Sequence, residues 1–331
     1  VAASACAAPD DTPTPSDSTT PPTEVASCDA PIGAWASVDL PSNREGMGIA
    51  ADEEHVYVVG GWTPEGTTAE VWIGTRDGDT LVWTDGPALP VPIEHPAAGL
   101  TGGRFWFLGG DDEDGLRTDV FSADVANGVV GGWVVGEPLD EPLTWVASAR
   151  DGEHLFFVGG SSDFDSAPSA AVHRLEAGDD GAYTLVPQTP LPEGRFAASA
   201  VAADSVLYVV GGATSFSSAA DTVWRAPIDD GTVGDWEELA TLEDTLIVPA
   251  LAVTGDTLIV AGGASNWYVE ERRVWQVSLA DGGVRHAPRL PEPRLGQGSA
   301  RLGDQWILVG GWSDLSGVMH DTAAVTTLCP G

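Results

Sequence analysis

Val56-Tyr57-Val58-Val59-Gly60-Gly61 is the first of six copies of one short pattern, an apolar run closed by a pair of glycines. The others are Phe105-Trp106-Phe107-Leu108 before Gly109-Gly110, Leu155-Phe156-Phe157-Val158 before Gly159-Gly160, Leu207-Tyr208-Val209-Val210 before Gly211-Gly212, Leu258-Ile259-Val260-Ala261 before Gly262-Gly263, and Trp306-Ile307-Leu308-Val309 before Gly310-Gly311. The pairs recur at intervals of 49, 50, 52, 51 and 48 residues, so the chain is a repeat. Runs this short, rich in β-branched and aromatic residues and apolar throughout, read as strands buried on both faces. Glycine fits where a side chain would strike another backbone or where φ must be positive. All six pairs are therefore expected to be structural.

A second column of residues supports the count. An aromatic followed by a Leu-Pro or Leu-acid pair recurs as Trp83 with Leu89-Pro90, Trp133 with Leu139-Asp140, Tyr183 with Leu191-Pro192 and Trp236 with Leu242-Glu243. The fifth copy is degenerate, with Asp281-Gly282-Gly283-Val284 and then Leu290-Pro291. Turns such as Asn127-Gly128 and Asp230-Gly231 supply the positive-φ positions of tight hairpins. Each repeat thus reads as inner strand, glycine-closed strand, third strand and aromatic outer strand. Six such sheets in a ring make an all-β, six-bladed β-propeller.

The chain ends do not follow this order. Gly33-Ala34-Trp35 with Leu40-Pro41 is an outer-strand signature that precedes the first glycine pair. After the last pair only residues 312–331 remain, enough for a third strand around Ala323-Ala324-Val325-Thr326-Thr327 but not a fourth. The N-terminal strand around Trp35 is expected to complete the last blade and remove its open edge. Cys28 lies just before that strand and Cys329 just after the third strand of the same blade, so a disulfide between them would clasp the ring. Closing a loop of roughly 300 residues is worth at most about 5 kcal/mol on the chain-entropy model. Two unrelated thiols are the alternative.

Over about residues 31–331 the chain resembles six-bladed kelch-repeat proteins. The residues that carry the likeness are the glycine pairs and, ahead of three inner strands, Arg44, Arg195 and Arg294. Acid-Val openings of the third strand, Glu70-Val71-Trp72 and Asp119-Val120-Phe121, add to it. The fifth repeat departs, with Leu246-Ile247-Val248 where the Arg would stand, and the Tyr-Asp ending of the third strand is mostly missing. The resemblance implies the fold and leaves the function open.

Composition bears on compartment and partners. The 14 basic residues are all Arg, against 50 Asp and Glu, for a net charge of −36. Such a surface repels nucleic acid and anionic membranes. Residues 1–30 are different material from the propeller domain at 31–331. Val1-Ala2-Ala3-Ser4-Ala5 leads into Cys6, and a Pro/Ser/Thr/Asp tether without core-forming residues follows. The Ala-Ser-Ala-Cys stretch resembles the end of a bacterial lipoprotein signal, which implies lipidation at Cys6 and a surface or outer-membrane lipoprotein. A secreted protein with a free Cys6 is the alternative. The tether and the expected disulfide both point outside the cytoplasm, and a membrane enters only through a lipid on Cys6. No stretch is long and apolar enough for a transmembrane helix.

Function is expected in the loops, because the blades are taken up by packing. The loops after the glycine pairs and the segments leading into the inner strands share one face. It offers Arg44, Arg195, Arg294, Trp62, Trp145, Trp267, Trp312 and His320 as binding residues, since aromatic rings beside Arg and acids suit a protein or glycan. No cofactor and no catalytic constellation is legible, and no metal site, the six His being scattered. Asp111, Asp112 and Asp114 are weak calcium candidates without EF-hand spacing. The first expectation is a non-catalytic binding or scaffold propeller. The alternative, by resemblance to the six-bladed kelch sialic-acid epimerase, is a sugar epimerase or mutarotase. There Arg44, Arg195 and Arg294 would hold a carboxylate while Glu94 or His95 moves a proton.

Overall fold

The structure is a computed structural model and describes residues 30–78, 80–163, 166–178, 181–266, 269–313 and 318–329. Cys6, Cys28 and Trp267 lie outside them. Six antiparallel sheets form the six expected blades, and no α-helix occurs among the described residues. Blade 1 runs outward through Gly48–Ala51, His55–Val59, Val71–Asp77 and Thr80–Asp85. Blade 2 repeats this with Ala97–Thr101, Arg104–Leu108, Val120–Ala126 and a short outer strand, Val134–Val135. Blades 3, 4 and 5 begin with the inner strands Ala147–Asp151, Ser199–Ala203 and Ala250–Thr254. Blade 6 comprises Gly298–Leu302, Gln305–Val309, Thr322–Thr327 and, as its outer strand, Ala36–Asp39 from the N-terminus.

The closure is therefore the one expected from the chain ends. Ala36 pairs with Val325 and Asp39 with Thr322, Ile32 bridges to Leu328, and the Cys329 amide donates to Pro31 O at 2.9 Å. Cys329 is buried and disulfide-bonded; its expected partner Cys28 falls outside the described residues.

The glycine pairs join each blade to the next. In every pair the second glycine donates its N–H to a carbonyl in the segment leading into the following blade: Gly61 to Ile93, Gly110 to Leu143, Gly160 to Arg195, Gly212 to Leu246, Gly263 to Arg294 and Gly311 to Arg44, at 2.7–2.9 Å. The first glycine lies flat against the same carbonyl. A Cβ at Gly109 would stand 2.0 Å from Leu143 O, and one at Gly310 would stand 2.1 Å from Arg44 O. Both glycines of each pair have positive φ, so the sequence requires glycine for two separate reasons.

The aromatic column makes an outer set of rungs. Trp83 Nε1 donates to Asp39 O, Trp133 to Pro87 O, Tyr183 Oη to Glu137 O, Trp236 to Thr189 O and Trp35 to Pro288 O, each reaching the outer segment of the preceding blade. Blade 5, degenerate in sequence, has no aromatic-to-carbonyl rung among the described residues; instead His286 on its outer strand lies with Nε2 3.1 Å from Glu243 Oε2 of blade 4. Between the latch and the rungs the second strands are almost wholly buried, and their side chains interleave with those of neighbouring blades.

The candidate binding face and channel mouth

Five of the glycine pairs run into small hairpins on one face of the ring: Trp62–Thr63 with Gly66–Thr67, Asp111–Asp112 with Gly115–Leu116, Ala213–Ser215 with Ser218–Ala219, Ala264–Asn266 with Val269–Glu270, and Trp312–Ser313 with Val318–Met319. The residue after each pair bridges back to the lead-in segment of its own blade. These six bridges are Glu45 to Trp62, Glu94 to Asp111, Thr144 to Ser161, Phe196 to Ala213, Ile247 to Ala264 and Leu295 to Trp312. They ring the mouth of the central channel, a cavity of about 430 Å³ lined by the inner strands.

The next residue in each segment forms a second ring. Gly46, His95, Trp145, Ala197, Val248 and Gly296 all have left-handed φ, between 42° and 70°. Their amides donate in turn around the mouth: His95 to Gly46 O, Trp145 to His95 O, Ala197 to Trp145 O, Val248 to Ala197 O and Gly46 to Gly296 O. At the remaining step Gln297 Nε2 donates to Val248 O at 3.1 Å. Left-handed backbone is costly for non-glycine residues and worst for a β-branched one such as Val248. The hydrogen-bonded belt holds it in place.

The two rings are unevenly composed. On blades 1 to 3 the bridge residues are Glu45, Glu94 and Thr144; on blades 4 to 6 they are Phe196, Ile247 and Leu295. The apolar half is a buried cluster of Phe196, Ala197, Ala213, Ile247, Ala264 and Leu295, against which Trp145 and Trp312 pack. Phe216, Val269 and Val318, on the hairpins of blades 4, 5 and 6, stand over it at 51%, 45% and 49% exposure. The hairpins of blades 1 and 2 instead expose Glu65, Glu113 and Asp114.

The polar half centres on His95. Its ring stacks on Trp145 with centroids 3.7 Å apart and planes 19° from parallel. Its Nδ1 lies 3.2 Å from Asp111 Oδ1 and 3.8 Å from Glu94 Oε2. Thr144 Oγ1 donates to Asp111 Oδ1 at 2.5 Å. Burial pushes the Glu94 carboxyl up to about 7, with His95 opposing and Asp111 and Glu45 adding to the rise. Burial likewise raises Glu45, again against the pull of His95. For His95 burial opposes the charged ring, but the hydrogen bond and charge of Asp111, with Glu94 and Glu45, outweigh it and raise its basicity.

Four residues singled out in the sequence, Glu94, His95, Asp111 and Trp145, thus meet at one place, and Glu45, not foreseen, joins them. The others do not. Arg44, Arg195 and Arg294 are 0–2% exposed and line no part of the channel. Arg44 bonds Glu70 Oε2 at 2.5 Å and stacks 3.5 Å over Trp72. Arg195 pairs with Glu193 and donates to Thr222 Oγ1. Arg294 donates to the carbonyls of Gly310 and Thr322. Each anchors a lead-in segment whose carbonyl is a latch acceptor, and Ile93, Leu143 and Leu246 fill the same position in the other blades. The three-arginine carboxylate grip expected of a sugar epimerase is therefore replaced by a packing role.

His320 is buried, with Nε2 donating to Pro293 O and Nδ1 3.0 Å from Glu292. Burial, then the Arg294 charge, lowers its basicity. Trp62 is half-buried within its hairpin. The calcium candidates diverge: Asp111 faces His95, Asp112 is taken by Arg117 at 2.8 Å, and Asp114 is exposed.

No family model matches the chain. It is similar to the Kelch-like protein terF of Aspergillus terreus, 28% identical over 186 residues that span 52% of this chain and 40% of that protein. It is also similar to Kelch-like protein 23 of Mus musculus, 24% identical over 253 residues, 74% of this chain and 42% of that one. Alpha-scruin of Limulus polyphemus is 28% identical over 151 residues, 43% of this chain and 16% of that one. The chain spans less than half the length of these relatives. Among solved structures it is similar to one titled "Structure of YjhT", with a TM-score of 0.72 and 14% identity over 86% of this chain and 95% of that one, a likeness of fold alone. The repeats, the six blades and these similarities support a kelch-repeat propeller.

The raised Glu94 pKa predicts an inverted pH dependence. The folded carboxyl keeps its proton to about 7 while the unfolded one loses it near 4.5, so its stabilising contribution is present at low pH and lost as pH rises through 7. In chelator-treated buffer Glu94→Gln should match the wild type near pH 4.5 and exceed it by about 1–3 kcal/mol above pH 8. Chemical denaturation across that range checks this; a difference that does not change with pH would contradict it.

Proposed function

We propose that this kelch-repeat propeller is a non-catalytic binding and scaffold protein, and that it holds a protein partner on its hairpin face. The observation that carries the reading is the division of that face. Phe216, Val269 and Val318 are exposed above the apolar half, while Glu45, Glu94 and Asp111 gather at the mouth on the other half. Apolar side chains presented together on loops suit an interface core, and carboxylates beside them select a basic segment and exclude acidic ones. A glycan is the other class of ligand that an aromatic-bearing face suits. The channel does not favour the epimerase alternative: its lining is mostly Ala, Gly and Val, and the three arginines stand outside it.

We also propose that the propeller works outside the cytoplasm, carried on residues 1–30 and clasped by Cys28 and Cys329. The Pro/Ser/Thr/Asp composition of the tether, the lipoprotein-like Ala-Ser-Ala-Cys6 stretch and the disulfide-bonded state of Cys329 support this reading.

Binding to a native extract, with a glycan array run alongside, tests the first proposal. Phe216→Ser with Val318→Ser should lose the captured protein, whereas Val129→Ser, an equally exposed apolar residue on the rim of blade 2, should keep it. Equal capture by both variants, or ligands found only on the array, would overturn the protein-binding reading. Intact mass of the protein from its native host tests the second. A lipid adduct on a chain starting at Cys6 is expected, with a Cys28–Cys329 peptide after non-reducing digestion. An unmodified chain retaining Val1 would refute the anchor, and free Cys28 would refute the clasp.

A further inference from the structure

We propose that Glu94, His95 and Asp111 form a divalent transition-metal site at the mouth of the channel. Their donor atoms, one imidazole nitrogen and two carboxylate oxygens, lie within 4.8 Å of one another. This mixed set suits zinc and its first-row neighbours rather than the all-oxygen shell of calcium. The distances fit as well. A tetrahedral ion bound at about 2.0–2.2 Å holds its ligands roughly 3.3–3.6 Å apart. His95 Nδ1 already stands 3.2 Å from Asp111 Oδ1 and 3.8 Å from Glu94 Oε2, within a few tenths of an ångström of that spacing, and the two carboxylates lie within 4.8 Å of each other, a separation that carboxylate rotation would reduce.

The donors are held in place by the fold. Glu94 and Asp111 are 17 residues apart in sequence, yet their backbones exchange N–H···O bonds of 2.9 and 2.8 Å across the bridge. The imidazole is clamped by the Trp145 stack, and its Nε2 is closed against the backbone of Gly46, where a Cβ would stand 2.7 Å away. Nδ1 is thereby left as the donor turned towards the carboxylates. Thr144 Oγ1 donates to Asp111 Oδ1 and so fixes the carboxylate, as outer-shell partners of metal ligands do.

The charges point the same way. Among the described residues no arginine forms an ion pair with Glu45, Glu94 or Asp111, and His95 supplies the only ion pairs of Glu94 and Asp111. Asp112, one residue along, is neutralised by Arg117. Three partly buried carboxyl groups thus surround one imidazole with no arginine paired against them among the described residues, a donor set that a divalent ion can bridge. His95 lines the channel cavity, so a bound ion there would keep positions for water or for a donor group of a ligand.

Calorimetric titration of the chelator-stripped full chain with zinc tests the site, in a Cys6→Ser background and with millimolar magnesium to occupy scattered surface acids. One equivalent of zinc should bind. His95→Asn, whose side chain tolerates left-handed φ, and Asp111→Asn should each weaken binding by at least about 10- to 100-fold, with circular dichroism confirming that both fold. Asp112→Asn should bind as the parent does. Cobalt added to the parent should give the intense visible bands of a tetrahedral site. Absence of one-equivalent binding above the magnesium background, or equal zinc affinity in the parent, His95→Asn and Asp111→Asn, would overturn the proposal.

Discussion

Six backbone hydrogen bonds, each from the second glycine of a pair to a carbonyl at the start of the next blade, set the geometry on which the rest of the molecule depends. They operate because the first glycine has no side chain. The carbonyl lies where its Cβ would be, at 2.0–2.4 Å in five of the six blades and 3.3 Å in the fifth. Both residues also need positive φ, which turns the chain out of the second strand and into the face hairpin. The same short segment that accepts the latch continues into the bridge residue, the left-handed belt and the inner strand. Blade docking, channel lining and the composition of the mouth are therefore one linked structure, repeated with different side chains.

Much of this was legible in the sequence because it repeats. The glycine pairs gave the number of blades, and the aromatic column marked the outer strands; its indoles and phenol prove to bind the preceding blade. The placement of Trp35 ahead of the first repeat gave the closure. The arginines misled for a physical reason. A guanidinium that stacks on Trp72 and bonds Glu70 is buried as fully as the Ile93 that occupies the same position in blade 2, but in sequence it looks like a ligand-binding charge. The mouth cluster could not be assembled from spacing. Asp111 reaches His95 only through the Glu94–Asp111 bridge, whose two residues are 17 apart in sequence, and Glu45 comes from the neighbouring blade.

The scarcity of cations sharpens the contrast between the halves of the face. With 14 arginines, no lysine and 50 acids, most guanidinium groups have structural partners: Arg104 with Asp124, Arg117 with Asp112 and Asp119, Arg225 with Glu237, and Arg273 with Asp244 and Glu271. None forms an ion pair with the acids around His95 among the described residues. The mouth is thus a place where carboxyl groups are concentrated by the fold without arginine partners among the described residues, beside hairpins that present apolar side chains. A binding role and an ion site are both consequences of that arrangement.

The latch is tested most directly by comparing Gly109→Ala with Gly102→Ala. The two glycines lie in the same blade with φ of 62° and 59°, so alanine meets the same backbone strain at both. At Gly102 a Cβ meets nothing within 4 Å, whereas at Gly109 it would stand 2.0 Å from Leu143 O. Denaturant unfolding should show a loss of about 1 kcal/mol for Gly102→Ala and at least about 3 kcal/mol more for Gly109→Ala. Equal losses in the two variants would mean that the glycine pairs serve backbone conformation alone and that the blades are held together by something else.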